Sequence, residues 1–293
     1  MAWILLSITA AFGQALAWAL KKKSLQNSNL NNTLGVVAYL TAGSILSIIW
    51  FFVGFESVSV SQKFIAALLI VVLLNVLAAW CAFRALDYAG ISQLMPFIAV
   101  TALLIIPLEY ISLGTLPNLQ QIYGIILVVL GVLFFSGAQL PKGASRTATL
   151  LFGVTLTCYA ITSTGMAVML AESNDPFFSA AVMHLGIGIC FLPLMFLYKE
   201  TATLKNVTTN GRVLPVIGTM ILVGVIAALL ENGPIFLALE SASAAEVFSL
   251  KRLMPLFALL FGIYWFKEKV KKRHILGTIF MILGAMTIIW FQG

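Results

Sequence analysis

Long apolar runs separated by short polar gaps make up nearly the whole sequence. The runs cover residues 2–20, 33–54, 64–83, 91–113, 119–137, 149–170, 177–198, 213–239, 244–266 and 275–290. Most are close to the length of about 20 residues that an α-helix needs to cross a bilayer. A transmembrane β-barrel would instead alternate polar and apolar positions along short strands. The pattern therefore predicts an all-α membrane protein with ten transmembrane helices, here called spans.

The composition is too apolar for the chain to include a soluble domain. Apolar residues make up 61% of the chain and charged residues 9%, against about 45–50% and about 25% in soluble proteins. The net charge of +7 does not indicate nucleic-acid binding, because the basic residues lie in short loops between apolar runs. Cys81, Cys158 and Cys190 lie inside apolar runs and form no CxxC pair. No disulfide, metal site or cofactor is predicted.

An internal repeat relates the two halves of the chain. A shift of 153 residues places Gly124 on Gly277, Gly131 on Gly284 and Asp87 on Glu240. The ungapped match pairs spans three to five with spans eight to ten. Glycines seven residues apart lie on one helix face, so we expect them to allow close helix contact.

The repeat defines two five-span domains, residues 1–137 and 148–293, joined by a linker at 138–147. Five is an odd number of crossings, so the second half enters the membrane in the opposite direction to the first. Inverted repeats of this kind are a common plan of secondary transporters. Their substrate site lies near the bilayer midplane between the halves, and access alternates by rocking around it.

The distribution of basic residues predicts the orientation of the chain. Loops after odd-numbered spans hold fourteen of the seventeen Lys and Arg residues: Lys21, Lys22, Lys23, Arg84, Lys142, Arg146, Lys199, Lys205, Arg212, Lys267, Lys269, Lys271, Lys272 and Arg273. Lys63 lies on the opposite side, and two basic residues remain within a span. By the positive-inside rule, the odd loops are cytoplasmic and both termini lie outside.

The order and spacing of several short motifs resemble the EamA-type family of the drug/metabolite transporter superfamily. The motifs in the second half are Ala238-Leu239, Ala242 to Ala245, Pro255, Phe266-Lys267-Glu268, Gly277 and Ile282-Leu283-Gly284. Those in the first half are Ala85-Leu86, Ala89, Gly124 and Leu130-Gly131, with Ala102 and Thr115 in place of Pro255 and Glu268. Phe12 and Tyr159 occupy what resembles the family's aromatic position near the start of each half.

This resemblance implies a ten-helix transporter of small metabolites or drugs, with a central cavity lined by spans one, three, four, six, eight and nine. It also conflicts with the orientation above, since relatives of this fold often keep both termini in the cytoplasm.

Three ionisable residues are predicted at the middle of the membrane. Lys251 and Arg252 follow the turn near Ser241 by about ten residues, which corresponds to a depth of roughly 15 Å, and Glu231 precedes the same turn by a similar number. Such groups cost about 2.5–3.5 kcal/mol each to insert, so they are candidates for function. Two interpretations remain open. In the first, Glu231 and one of the two basic residues form a buried pair with a structural role. In the second, the basic residue that is left over carries a positive charge that binds an anionic group of the substrate.

Further polar residues are candidates for the same site. Asn232, Ser249, Tyr159 and Gln14 offer hydrogen bonds and Trp80 a stacking surface. Glu231 is the first candidate for proton coupling and His184 the second. The run from Glu231 to Pro234 predicts a broken helix. We expect Glu109 to be hydrated near the interface and Glu268 to be structural, among neighbouring lysines.

The predicted function is a secondary transporter in the cell membrane (inner or plasma membrane) that moves a small organic metabolite, such as an amino acid, bearing a carboxylate or other anionic group. A multidrug or organic-cation exporter using Glu231 is the alternative. An intramembrane enzyme is disfavoured because the spans contain no GxSxG or HExxH motif and no matched acidic pair. A non-transporting scaffold is disfavoured as well, because it would need no buried charges. The expected partners are the substrate, membrane lipid and a proton, without nucleic acid, and a monomer suffices because one chain contains both halves.

Overall fold

The described part of the chain is built of apolar helices. The computed structural model describes residues 2–25, 30–53, 58–86, 95–137, 146–198, 200, 213–267 and 271–291, and no strand occurs among them. The helices are α1 (Ala2–Leu25), α2 (Asn31–Val53), α3 (Gln62–Leu86), α4 (Thr101–Leu113), α5 (Leu119–Ser136), α6 (Arg146–Ser173), α7 (Pro176–Leu197), α8 (Val213–Ile226), α9 (Gly233–Leu239), α10 (Ala244–Lys251), α11 (Met254–Phe266) and α12 (Lys272–Trp290). A 3₁₀ helix, Met95–Val100, precedes α4, and a π-helical segment, Ala227–Asn232, joins α8 to α9.

Nine helical stretches of the described residues are long and apolar enough to cross a membrane, and a tenth, Phe97–Leu113, is shorter. They correspond to the ten apolar runs. Asp87, Ala89, Glu268 and linker residues 138–145 lie outside the described residues, so the sequence interpretations that involve them are not addressed by the structure.

The eighth run bends through a π-helical segment instead of breaking. The N–H of Gly233 bonds to the carbonyl of Ala228, five residues back. The helix then continues, with Pro234 in the first turn of α9. Proline has no N–H to donate, and the wider π turn absorbs that loss without unwinding the chain. The predicted broken helix at Glu231 to Pro234 is therefore wrong in kind, although the irregularity is in the predicted place.

The ninth run is the one that breaks. Its first helix, α10, ends at Lys251, and α11 begins at Met254 with Pro255 in its first turn. A proline ring inside a helix collides with the carbonyl four residues before it. For Pro255 that carbonyl belongs to Lys251, so the α-helix ends at the two basic residues, Lys251, which is buried, and Arg252, which is half-buried.

The three most extensive helix pairs, α2 with α7, α3 with α6 and α5 with α12, each join the two halves of the chain. All three are antiparallel. In the first pair, for example, Gly35 lies against Phe191 while Gly43, further along α2, lies against Leu185, which is earlier in α7. The packing partners of the two halves also correspond. The third run, α3, packs along the sixth run, α6, and the eighth run, which comprises α8, the π segment and α9, packs along the first run, α1.

Four glycines bring α5 and α12 into close contact, as the repeat predicted. A Cβ on Gly124 would lie 2.8 Å from the carbonyl oxygen of Gly284, and one on Gly131 would lie 2.9 Å from that of Gly277. The glycines that correspond by sequence thus meet crosswise, since the two helices run in opposite directions. Small residues of this kind allow the backbone contact that stabilises helix pairs in lipid.

Carboxylates from one half also fix helix ends of the other. Both oxygens of Glu200 accept backbone N–H groups at the start of α2, from Asn32 at 3.1 Å and Thr33 at 2.7 Å. At the opposite end of the same helix pair, Asp175 caps α7 and accepts the indole N–H of Trp50 at 2.8 Å. These contacts set the axial register of α2 against α7.

Gly284→Ala is expected to lower the thermal stability of the detergent-purified protein. The added Cβ would lie 2.5 Å from the carbonyl oxygen of Gly124 and 2.6 Å from the amide nitrogen of Val128. Because these are backbone atoms, the helices must separate, at a cost of about 1–3 kcal/mol. Gly153→Ala is the matched control, since a Cβ there meets nothing within 4 Å. Equal Tm values for the two variants would contradict the close contact.

Candidate functional site

A buried ion pair joins the two irregular helices. The Lys251 Nζ lies 2.9 Å from Oε1 of Glu231, and the two side chains are 8% and 14% exposed. Glu231 belongs to the π segment and Lys251 ends α10, so the pair forms where both helices depart from regular geometry. The ion pair predicted from matching depths is confirmed.

Arg252 points away from this pair. Its Nη2 donates to Oγ1 of Thr101, at the start of α4, over 2.6 Å, and that hydroxyl donates to the carbonyl of Ile98. Its Nε is buried and has no hydrogen-bond partner among the described residues. No described carboxylate lies within 4.0 Å of the guanidinium. Lys251 is therefore neutralised by Glu231, and Arg252 retains its charge.

The short helix α10 carries opposite charges at its two ends. Ser243 and Glu246 form a capping box at its N-terminus. Both oxygens of Glu109, on α4, accept backbone N–H groups there, from Ala244 at 2.6 Å and Ala245 at 3.0 Å. Acidic side chains at the N-terminus of a helix and a basic side chain in its last turn both stabilise the helix, because their charges interact favourably with its dipole. This arrangement holds Lys251 at a defined depth.

Glu109 is consequently not the hydrated interfacial residue that we expected. It is 1% exposed, because the free N–H groups of α10 supply the hydrogen bonds that water would otherwise provide. The sequence of α4 alone contains no signal that this carboxylate lies at the start of α10, because the contact joins two helices that are distant in the chain. Gln121 of α5 joins the same network by donating to Oε1 of Glu246.

Two tyrosines and a histidine surround the charged residues. Tyr159 lies within electrostatic range of Arg252 and Glu231, and Tyr39, on α2, within range of Glu231. His184 is fully buried, with its ring centroid 5.6 Å from that of Tyr39. It also lies within electrostatic range of Glu231 and Lys251. Tyr39 and Thr101 were not predicted, since a tyrosine or threonine in an apolar run carries no signal of its own.

His184 presents an unused acceptor. Its Nδ1 lies 2.7 Å from the carbonyl oxygen of Ala180, and because that oxygen only accepts, Nδ1 carries the proton. The other ring nitrogen, Nε2, is buried without a hydrogen-bond partner among the described residues. A lone pair is thus left free in the neighbourhood of the ion pair.

The remaining predicted residues occupy varied positions. Asn232 donates to the carbonyl of Ala227, and Ser249 donates to that of Ala245, so both bond within their own helical segments. Trp80 donates to the Tyr198 hydroxyl, which lies just beyond the carboxyl end of α7. Gln14 is half-buried beside Gly13, which packs against the backbone of Leu230. Gln14 therefore lies at the level of Glu231, whereas the hydrogen bond of Trp80 is made to a residue at the end of a helix.

Comparisons with known proteins agree with this architecture. A model of the EamA-like transporter family matches residues 1–137 and 146–290. The chain belongs to the EamA-like transporter family. It is accordingly an integral multi-pass membrane protein, and membership of a transporter family supports a general role in transport. No curated protein sequence matches the chain significantly.

A solved crystal structure has the same fold as this EamA-like chain. The alignment covers 99% of this chain and 98% of that one, with a TM-score of 0.67 and 12% sequence identity. Within the described residues, no group of three or more His, Cys, Asp or Glu side chains is placed to hold a metal ion.

Glu109→Gln is expected to destabilise the folded protein. A glutamine has one acceptor oxygen, so its amide group would face one of the two N–H groups at the start of α10. A buried donor without an acceptor costs about 1–3 kcal/mol. Glu172→Gln is the control, because Glu172 pairs with Lys63, whose side chain is 57% exposed, and exposed pairs contribute about 0–1 kcal/mol. Thermal unfolding in detergent measures both, and a Glu109→Gln protein as stable as the control would contradict the capping role.

Proposed function

We propose that this EamA-like protein is a secondary transporter of small organic metabolites that carry a carboxylate or other anionic group, and that Arg252 binds that group. The observation that carries the proposal is the difference between the two basic residues. Lys251 is neutralised by Glu231 at 2.9 Å. The guanidinium of Arg252 has no described carboxylate within 4.0 Å, and its buried Nε has no hydrogen-bond partner among the described residues. A half-buried cation without a paired carboxylate would be stabilised by an anion that arrives from outside the protein.

The geometry of the guanidinium fits an oxyanion. Arginine binds carboxylate and phosphate groups through a planar fork of N–H donors, commonly two at once. In Arg252, Nη2 is bonded to Thr101 while Nε has no acceptor within the described part of the chain. One substrate oxygen would supply the missing acceptor, and a second would bond to the adjacent Nη2. Tyr159, in electrostatic range of Arg252, would contact the rest of the substrate.

We further propose that the protein contains two inverted repeats of five helices that give alternating access to this site. The antiparallel packing of α2 on α7 and α5 on α12 supports this, since the helices of each pair correspond in the two halves. The site also lies between the halves, because Thr101 belongs to the first and Lys251, Arg252 and Glu231 belong to the second. Helices interrupted near mid-membrane are typical of transporter sites. One chain supplies both halves, so a monomer is sufficient.

An organic-cation exporter is the alternative function. Glu231 would then bind the cation, but its carboxylate is already paired with Lys251. A cation entering the site would have to displace Lys251 and approach Arg252 as well. Like charges in a medium of low dielectric repel strongly, so the arrangement favours an anionic ligand.

Arg252→Gln is expected to weaken anion binding at least about tenfold, because a hydrogen bond to a charged group contributes about 1.5–3 kcal/mol. The purified protein is screened by thermal shift against benzoate, aliphatic monocarboxylates and sugar phosphates, with benzamide as a neutral isostere and cationic dyes as the opposite class. Anions should raise the Tm of the wild type and of Arg146→Gln, a control at an exposed position, but not that of Arg252→Gln. Stabilisation by cations alone would support the exporter, and unchanged anion binding in Arg252→Gln would exclude the proposed site.

We propose, from the distribution of basic residues, that the protein lies in the cell membrane with both termini outside. A carboxyl-terminal reporter that is active only in the cytoplasm should therefore be silent. The same reporter inserted in the loop after span seven, between residues 200 and 212, should be active and serves as the control. Activity at the carboxyl terminus would reverse the orientation.

A further inference from the structure

The net charge of the site depends on one carboxyl group. With Glu231 ionised, Lys251 is neutralised and the three side chains carry one net positive charge, located on Arg252. If Glu231 takes up a proton from water, its attraction for Lys251 is lost and Lys251 becomes a second free cation. The site then carries two positive charges in surroundings that are largely closed to solvent, since the Lys251 and Glu231 side chains are 8% and 14% exposed.

The other titratable groups around Glu231 include no described carboxylate. They are Tyr39 on α2, Tyr159 on α6, His184 on α7 and Arg252 beyond α10. The apolar stretch of α1 beside the π segment, Ala2–Leu20, contains no titratable side chain. Glu231 is therefore the one described carboxylate in this cluster, and its protonation changes the charge that an anionic ligand meets.

We propose that the proton and the anionic substrate bind this site cooperatively and cross the membrane together, with Glu231 as the proton site and Lys251 as the side chain released by protonation. This inference rests on the proposed function, since it assigns a co-substrate to the same site. Linkage makes the coupling reciprocal: if protonation of Glu231 strengthens anion binding, anion binding strengthens proton binding by the same factor. A transporter with this property carries the two ligands in the same direction. An exporter in which a cation and a proton compete for one carboxylate would carry them in opposite directions.

The free nitrogen of His184 is a second candidate for the proton site. Protonation of Nε2 would also add a positive charge near the pair, because Nδ1 already carries a proton. The two sites are separated by substitution. Glu231→Gln is permanently neutral and releases Lys251 at every pH, whereas His184→Gln leaves the ion pair unchanged.

The test is calorimetric titration of the full-length wild-type protein with benzoate from about pH 6 to about pH 8.5, a range in which a carboxylic acid with a pKa near 4 stays ionised. Titrations in two buffers of different ionisation enthalpy count the protons exchanged, and this measurement needs no variant. The wild type should take up as much as one proton per benzoate. Its affinity should be highest at the acidic end and should fall towards the alkaline end, by at most about tenfold per pH unit for one proton taken up. Benzamide should show neither effect.

The variants then assign the proton. Glu231→Gln should bind benzoate tightly without pH dependence or proton uptake, while Glu172→Gln, the control carboxylate paired with Lys63, and His184→Gln should retain both. Proton uptake that persists in Glu231→Gln, or proton release on binding, would overturn the inference while leaving Arg252 as the anion site. Benzoate binding that is independent of pH in the wild type would do the same. Absence of binding at every pH, or full binding in Arg252→Gln, would contradict the proposed function itself.

Discussion

The ion pair between Lys251 and Glu231 is the constraint on which the centre of this protein depends. Neither charge is stable alone in the interior of a membrane protein, so the backbones that carry them must come together at one depth. Each backbone is irregular at that point, with a π segment ending in Asn232 and a helix end at Lys251. The pair therefore fixes how the eighth and ninth runs meet, and the direction of Arg252 follows from the helix end beside it.

The contacts at the two ends of α10 explain why such a short helix is stable. It is eight residues long, and isolated helices of that length are unstable in water. In this protein its N–H groups are bonded to Glu109 and to its own capping box, and its last residue is paired with Glu231. Because Glu109 belongs to the first half and α10 to the second, the rocking motion that we propose would have to break this cap or move it as a unit. The contact between Arg252 and Thr101 joins the same two halves.

The close packing of the halves has a separate origin. The helices present large apolar side chains outward, such as Phe52 and Ile111, each 80% exposed, so burial of apolar surface distinguishes poorly between helix partners in lipid. Glycine contacts and carboxylate caps are the specific features instead. Gly124 and Gly284 determine where α5 crosses α12, and Glu200 determines the register of α2. The corresponding contacts of the two halves give the structure its pairwise order.

Much of this architecture could be predicted from local patterns. The apolar runs, the repeated glycines and the depth of Glu231 and Lys251 all follow from counting residues along the chain, because a helix in a membrane rises uniformly and its length is set by the bilayer. Contacts between distant helices could not be predicted in the same way. Glu109 was assigned to the interface because its own helix gave no sign that α10 would offer two N–H groups to it.

The sequence by itself determined that the chain is a helical membrane protein of two related halves, and it predicted a few charges near mid-membrane. Only the tertiary structure decided which base pairs with Glu231, that no carboxylate of the described residues lies within 4.0 Å of Arg252, and that the helix breaks after Lys251 instead of at Pro234. The physical reason is that adjacent residues on a helix point about 100° apart. Their depth is therefore a property of the sequence, whereas the side chains they face depend on how the helices pack.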